Sequence, residues 1–138
     1  MNLIEHLADH LDYEGFGKLA TLEEDGNIFW GELPETRNAA GVDICVMSTD
    51  SAYGGKPGGA RIQIHVRGPE GDERTPYEMA CAITDCLQGF EGYLHGDGPY
   101  AIVTEVLSSA QGAGTDQNGR RYYVSNYRIA YCDFSKGG

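Results

Sequence analysis

His6 and His10 stand four residues apart in the opening stretch LIEHLADHLDY. On a helix that spacing puts both imidazoles on one face, where they could share a metal ion. The residues between them are Leu-Ala-Asp, so the glutamate of an HExxH hydrolase helix is missing. The amphipathic pattern is complete without a metal. Cys45, Cys81, Cys86 and Cys132 follow neither a CxxC nor a zinc-ribbon spacing, and they read as reduced structural thiols. The GGKPGG run lacks a GK[ST] ending and leads into no helix, so it reads as a linker rather than a phosphate cradle. Gly112, Gly114 and Gly119 form no GxGxxG before a helix. Ser108, Ser109 and Ser125 have no nucleophile elbow around them. The acidic runs Glu23-Glu24-Asp25 and Glu70-Gly71-Asp72-Glu73 fall in turns, where solvated charge is expected. No motif proposes an enzyme, a cofactor or a metal site.

Composition narrows the partners. With 21 acids and 10 bases the net charge is −11. That sign opposes a nucleic-acid surface, whose affinity comes from Lys and Arg displacing counterions. It opposes an anionic membrane surface as well. No run approaches the ~18 apolar residues of a bilayer span. The first helix carries Glu5, Asp9 and Asp12 with no early base, unlike a secretory signal. Nine tyrosines suit packing and protein–protein contact better than base stacking, given the charge. A length of 138 residues fits a single domain, 1–138, with flexible connections at 51–59 and 108–120.

The positioning elements follow from periodicity. Leu3, Ile4, Leu7 and Leu11 make one stripe of a helix reaching Tyr13, with Asn2 as N-cap. Strands are expected at 27–33 and 42–47. The clearest is 60–67, where Ala60, Ile62, Ile64 and Val66 alternate with Arg61, Gln63, His65 and Arg67. Thr75-Pro76-Tyr77-Glu78 reads as a capping box with Pro at the first helical position, opening a helix to Leu87 or Phe90. Its stripe is Tyr77, Ala80, Ile83, Thr84 and Leu87. Strands at 100–107 and 121–134 close the chain, the second placing Tyr123, Tyr127, Ile129 and Tyr131 on one face. The fold class is α+β: a single, mostly antiparallel sheet in the order α-β-β-β-α-β-β, with both helices on one face.

Two stretches carry a family resemblance. One is ARIQIHVRG leading into TPYEMACAITDCL; the other is DQNGRRYYVSNYRIAY. With the element order around them, the chain resembles the tail terminator and minor capsid proteins of long-tailed bacteriophages. The resemblance implies a ring, commonly of six copies, that caps the tail tube and meets the head completion proteins. It also implies a virion location after assembly in the bacterial cytoplasm. DNA would pass through the lumen without specific binding. No catalytic residues come with it. Arg67 and the Gly119-Arg120 turn carry over as structural positions, and Tyr123 and Tyr127 join them as expected interface residues. Arg120→Glu is expected to impair assembly more than monomer melting. Another neck or head–tail joining component is the neighbouring alternative, and a small α+β ligand-binding protein or enzyme is the alternative of another class.

Overall fold

The computed structural model describes residues 2–20, 26–34, 41–49, 59–95 and 98–132. The chain runs α1 (Leu3–Tyr13), β1 (Ile28–Trp30), β2 (Asp43–Ser48), β3 (Ala60–Glu70), α2 (Arg74–Leu87), β4 (Gly92–Tyr93), β5 (Tyr100–Thr115) and β6 (Arg120–Cys132). The strands form one sheet in the order β1-β2-β3-β6-β5-β4. Every neighbouring pair is antiparallel except β1 and β2. This is the expected α+β class and element order, with a parallel edge pair and the two-residue β4 added. The expected connection at 51–59 lies outside the described residues but for Gly59.

The helices start where polar side chains take the free N–H groups. Asn2 accepts from the Glu5 N–H at 2.9 Å, and Glu5 accepts from the Asn2 N–H at 3.2 Å. That is a reciprocal capping box. At α2 the expected box on Thr75 is not made. Asp72 instead accepts from the Thr75 N–H at 2.9 Å and from its hydroxyl at 2.6 Å. The helix therefore begins at Arg74, and Pro76 is its third residue. Pro76 also takes the buried place expected of Tyr77, which is 47% exposed. Opposite Pro76 sits Gly68 of β3, where an added Cβ would lie 2.4 Å from Pro76 Cγ. Only a glycine lets α2 approach the sheet this closely.

One apolar core joins both helices to one face of the sheet. Leu3, Ile4, Leu7 and Leu11 of α1 and Ala80, Ile83 and Leu87 of α2 meet Ile28, Ile44, Val46, Ile62, Ile64, Val66, Tyr127 and Ile129. The alternation of β3 puts its isoleucines here, and β6 adds Tyr123 and Tyr131 at the margin. Burying a side chain of this size contributes about 1.5–3 kcal/mol before entropy is counted.

The connection expected at 108–120 is instead mostly strand. β5 continues to Thr115, and only 116–119 turn back into β6. Pairing with β6 overrides the weak strand propensity of SSAQGAG. The price is irregularity: register shifts fall between Val106 and Ser108, Ser108 and Gln111, and Gly112 and Thr115. Ala110 adopts φ 50°, and its N–H is met by Ser125 Oγ at 2.9 Å.

Candidate assembly surface and its buried arginine clamp

Arg67 and Gly119-Arg120, far apart in sequence, meet at one end of the sheet. Asp43 of β2 pairs in register with Arg67 of β3, which pairs with Tyr122 of β6. Asp43 Oδ2 accepts from Arg67 Nη2 at 2.7 Å and lies 3.1 Å from Arg120 Nη2. Both guanidinium side chains are 1% exposed. Arg67 Nη2 also donates to Pro34 O at 2.7 Å, and Arg120 Nη2 donates to Gly41 O at 2.8 Å. Arg120 Nε reaches Gly68 O at 2.8 Å. Arg67 Nε and Arg120 Nη1 are buried without a hydrogen-bond partner among the described residues. Burial opposes the charge on Arg67. The Asp43 hydrogen bond and, after it, Tyr122 more than offset this, leaving its pKa above the ordinary value.

The turn is built from the same chemistry. Asp116 Oδ1 accepts from the Asn118 N–H at 2.8 Å and the Arg120 N–H at 3.0 Å. Gly119 holds φ 77°, in the left-handed region that favours glycine. Asp116 Oδ2 lies 3.9 Å from Arg67 Nη1. An open cleft of about 320 Å³ remains beside them, lined by Arg67, Asp116, Gln117 and Tyr122. The alternation of β3 puts Arg67 on the polar face, and it lies there but is covered by Pro34 and the turn. Asp43 falls on the polar side of its own strand, with no role legible in the sequence. The available signal was a lone carboxylate in a strand otherwise apolar, VDICVM.

The two tyrosines part company. Tyr127 is fully buried, its hydroxyl 2.8 Å from Thr84 Oγ1 of α2, to which Ser109 Oγ donates at 2.8 Å. Burial, the largest cause, raises its pKa against the hydrogen bonds from Thr84 and Ser125. Tyr123 is partly buried and meets the exposed Tyr77 ring edge-on at 5.5 Å.

The sheet face away from the helices is ordered in rows across β5, β6 and β3. Glu105, Arg128 and Arg61 align in register, with Glu105 Oε1 accepting from Arg128 Nε at 3.0 Å. The next row is Ser108, Asn126 and Gln63. Gln63 Nε2 donates to Asn126 Oδ1 at 3.0 Å, and Asn126 Nδ2 donates to Ser108 Oγ at 2.9 Å. On the other side of the arginines the rows turn apolar: Val103 beside Ala130, then Tyr93, Tyr100 and Cys132. The Tyr93 and Tyr100 rings meet edge-on at 4.9 Å.

No protein-family model and no curated protein matches this chain. A solved structure similar to it is a chain in the "Virion of native gene transfer agent (GTA) particle", with 19% identity, 75% of this chain and 78% of that chain covered, and a TM-score of 0.49. Identity and TM-score at this level assign neither a family nor a role.

The histidines of α1 and of the segment before β5 meet each other. His10 Nδ1 accepts the His95 N–H at 3.2 Å, and its ring packs on Phe90 at 4.9 Å. His95 Nδ1 is 2.8 Å from Asp9 Oδ2. Among the described residues no three His, Cys, Asp or Glu side chains converge on a metal position. All four cysteines are free. Burial, then Glu32, pushes the Cys45 thiol up to about 12, and burial, then Glu14, pushes Cys86 up to about 11. Neither is a ready thiolate at neutral pH.

Proposed function

We propose that this chain is a structural protein of a long-tailed bacteriophage virion. In this reading it is a tail terminator whose copies close into a ring, six by the family resemblance, capping the tail tube and meeting the head completion proteins. One observation carries the reading. Among the described residues the helices cover one face of the sheet, while the β4–β5 end carries Tyr93, Ile102 and Val103 exposed at 62%, 44% and 47%. Contiguous exposed apolar surface of this kind marks a contact between proteins. The two stretches that resemble the terminator family support the same reading, since they form β3, α2 and the turn into β6.

Of the five expected interface residues, Tyr123 reaches the surface through its pair with Tyr77. Arg67, Arg120 and Tyr127 are buried within the chain, and Gly119 shapes the half-buried 116–119 turn beside them. The virion location and assembly in the bacterial cytoplasm belong to the same proposal. So does an acidic lumen past which DNA slides, motivated by the charge of −11; acids confined to the outer rim of the ring refute it. Light scattering across a concentration series, with electron microscopy, tests the function. Closed rings are expected. A monomer that stays monomeric with tail tubes present rejects the proposal.

A second reading, a small ligand-binding domain, has the Arg67 cleft in its favour. A thermal-shift screen of small anions and amides tests it, and ligand-dependent stabilisation lost in Gln117→Ala would favour it.

A further inference from the structure

We propose that His10 is an acid-operated latch: a proton arriving at its Nδ1 expels the His95 N–H and frees β4 from α1. The device belongs to the fold and holds whatever the chain assembles into. Its basis is the direction of one hydrogen bond. His10 Nδ1 accepts the His95 N–H at 3.2 Å, so the ring hydrogen of the neutral imidazole sits on Nε2. A further proton has only Nδ1 to occupy. It turns the acceptor into a donor facing another donor, and the bond is lost. His10 is 3% exposed, so water does not relieve that clash in place.

The charged ring has a second position. His10 Nε2 has no hydrogen-bond partner among the described residues and lies 4.0 Å from Glu14 Oε1. Turning toward Glu14 pairs its Nε2–H with a carboxylate. Glu14 is already tied to α2, where Cys86 Sγ donates to its Oε2 at 3.5 Å. Protonation thus moves the hold of His10 from the segment before β5 to the end of α1 beside α2. On α1 the other titratable neighbours are His6, one turn back, and Tyr13, whose ring lies 6.3 Å away. Asp9 and Glu14 favour the His10 cation and His95 opposes it, but burial outweighs the acids. The latch therefore stays neutral and closed until the pH falls below the ordinary histidine range.

What it releases is lightly held. β4 has two residues, and it pairs Gly92 with Ala101 and Tyr93 with Tyr100. Leu94, 1% exposed, adds one anchor, with its N–H on Pro99 O at 3.1 Å. A segment with so few bonds opens locally while the core stays folded. The opposing contact is His95 Nδ1 with Asp9 Oδ2 at 2.8 Å, which tightens as His95 gains charge. Those side chains are 45% and 21% exposed, and a pair so placed has small weight. It tethers the His95 ring and leaves the His95 N–H free to turn away. Opening uncovers the β5 border at Tyr100 and Ala101 and parts the Tyr93 and Tyr100 rings.

Hydrogen exchange read by nuclear magnetic resonance tests the latch in the full chain. Corrected for intrinsic rates, protection of the Leu94 and His95 amides should fall by up to about tenfold per pH unit below 6.5, the slope that one linked proton sets. The amides of β6 should keep theirs. His10→Gln keeps an acceptor toward His95 and does not titrate, so protection at these amides should stay flat over the same range. His95→Gln retains the N–H and should open as the wild type does. Protection in the wild type that is constant with pH overturns the latch. So does a fall that persists in His10→Gln, or one abolished in His95→Gln. Should His10→Gln fail to fold, the imidazole nitrogens of the wild type decide. Neutral His10 with its hydrogen on Nε2, titrating together with the His95 amide, supports the latch. A hydrogen on Nδ1, or a titration that leaves the His95 amide unmoved, overturns it.

Discussion

Asp43 shows what a single carboxylate does in the interior. It faces two guanidinium groups at 2.7 and 3.1 Å, and without it both cations stay buried with one partner fewer. A buried pair is weak evidence of net stability, but breaking one by removing a partner costs about 3–5 kcal/mol. Asp43→Ala should therefore lower melting sharply, as differential scanning calorimetry would read. Arg120→Glu belongs with it: the expectation that this change would spare the monomer does not fit a side chain 1% exposed and facing Asp43. It should unfold the chain before any effect on assembly can be seen. Tyr127→Phe should cost about 1 kcal/mol by chemical denaturation, since Thr84 keeps Ser109 as a partner. At this scale the sequence exposed the arginines and the turn glycine through a resemblance. It hid Asp43, because a strand position says which face a residue is on and nothing about what later covers that face.

Elements were more legible. The α1 stripe, the alternation of β3 and the tyrosine face of β6 follow from periods of 3.6 and 2 that burial imposes directly. The start of α2 was misplaced because Asp72, Glu73 and Thr75 all have capping chemistry, and tertiary fit of Pro76 against Gly68 decides between them. Gly68→Ala should accordingly push α2 off β3 and cost at least about 1–3 kcal/mol as overpacking. A lower melting temperature with retained far-ultraviolet helicity is the expected signature. The joint between α1 and the segment before β5 should loosen in acid. Burial, the largest cause, holds the His10 pKa below its usual 6.5, against Glu14 and Asp9 and with His95. His65 is lowered by burial as well. A lowered histidine pKa means the unfolded chain binds more protons in the window below 6.5. Stability is then full above that value and falls as pH drops toward the folded pKa. His10→Gln keeps an acceptor for the His95 N–H and should flatten that part of the melting-against-pH curve.

The described residues make two layers, and the sheet face away from the helices is buried at Asp43, Cys45 and Arg67 and exposed toward β4, at Tyr93 and Val103. If copies meet through that exposed apolar end, half a molar salt should leave the assembly midpoint unmoved, because salt screens charge pairs and spares apolar contact. A midpoint shifted to higher protein concentration would point to exposed ion pairs instead. The layer count was readable from sequence as two helices and a set of strands. The open face was not, since an apolar row of Val103, Ala130 and Cys132 looks in sequence like any half-buried strand.

The kinks along β5 limit the ways in which strand borders of two copies could pair. A straight strand border would let copies zip together without limit and draw the protein into tape or fibre. Successive breaks in register after Val106, and an alanine held at φ 50°, deny that border a template. Under the proposed ring, addition of subunits would be left to side-chain surfaces, where the angle between neighbours would decide when the circle shuts.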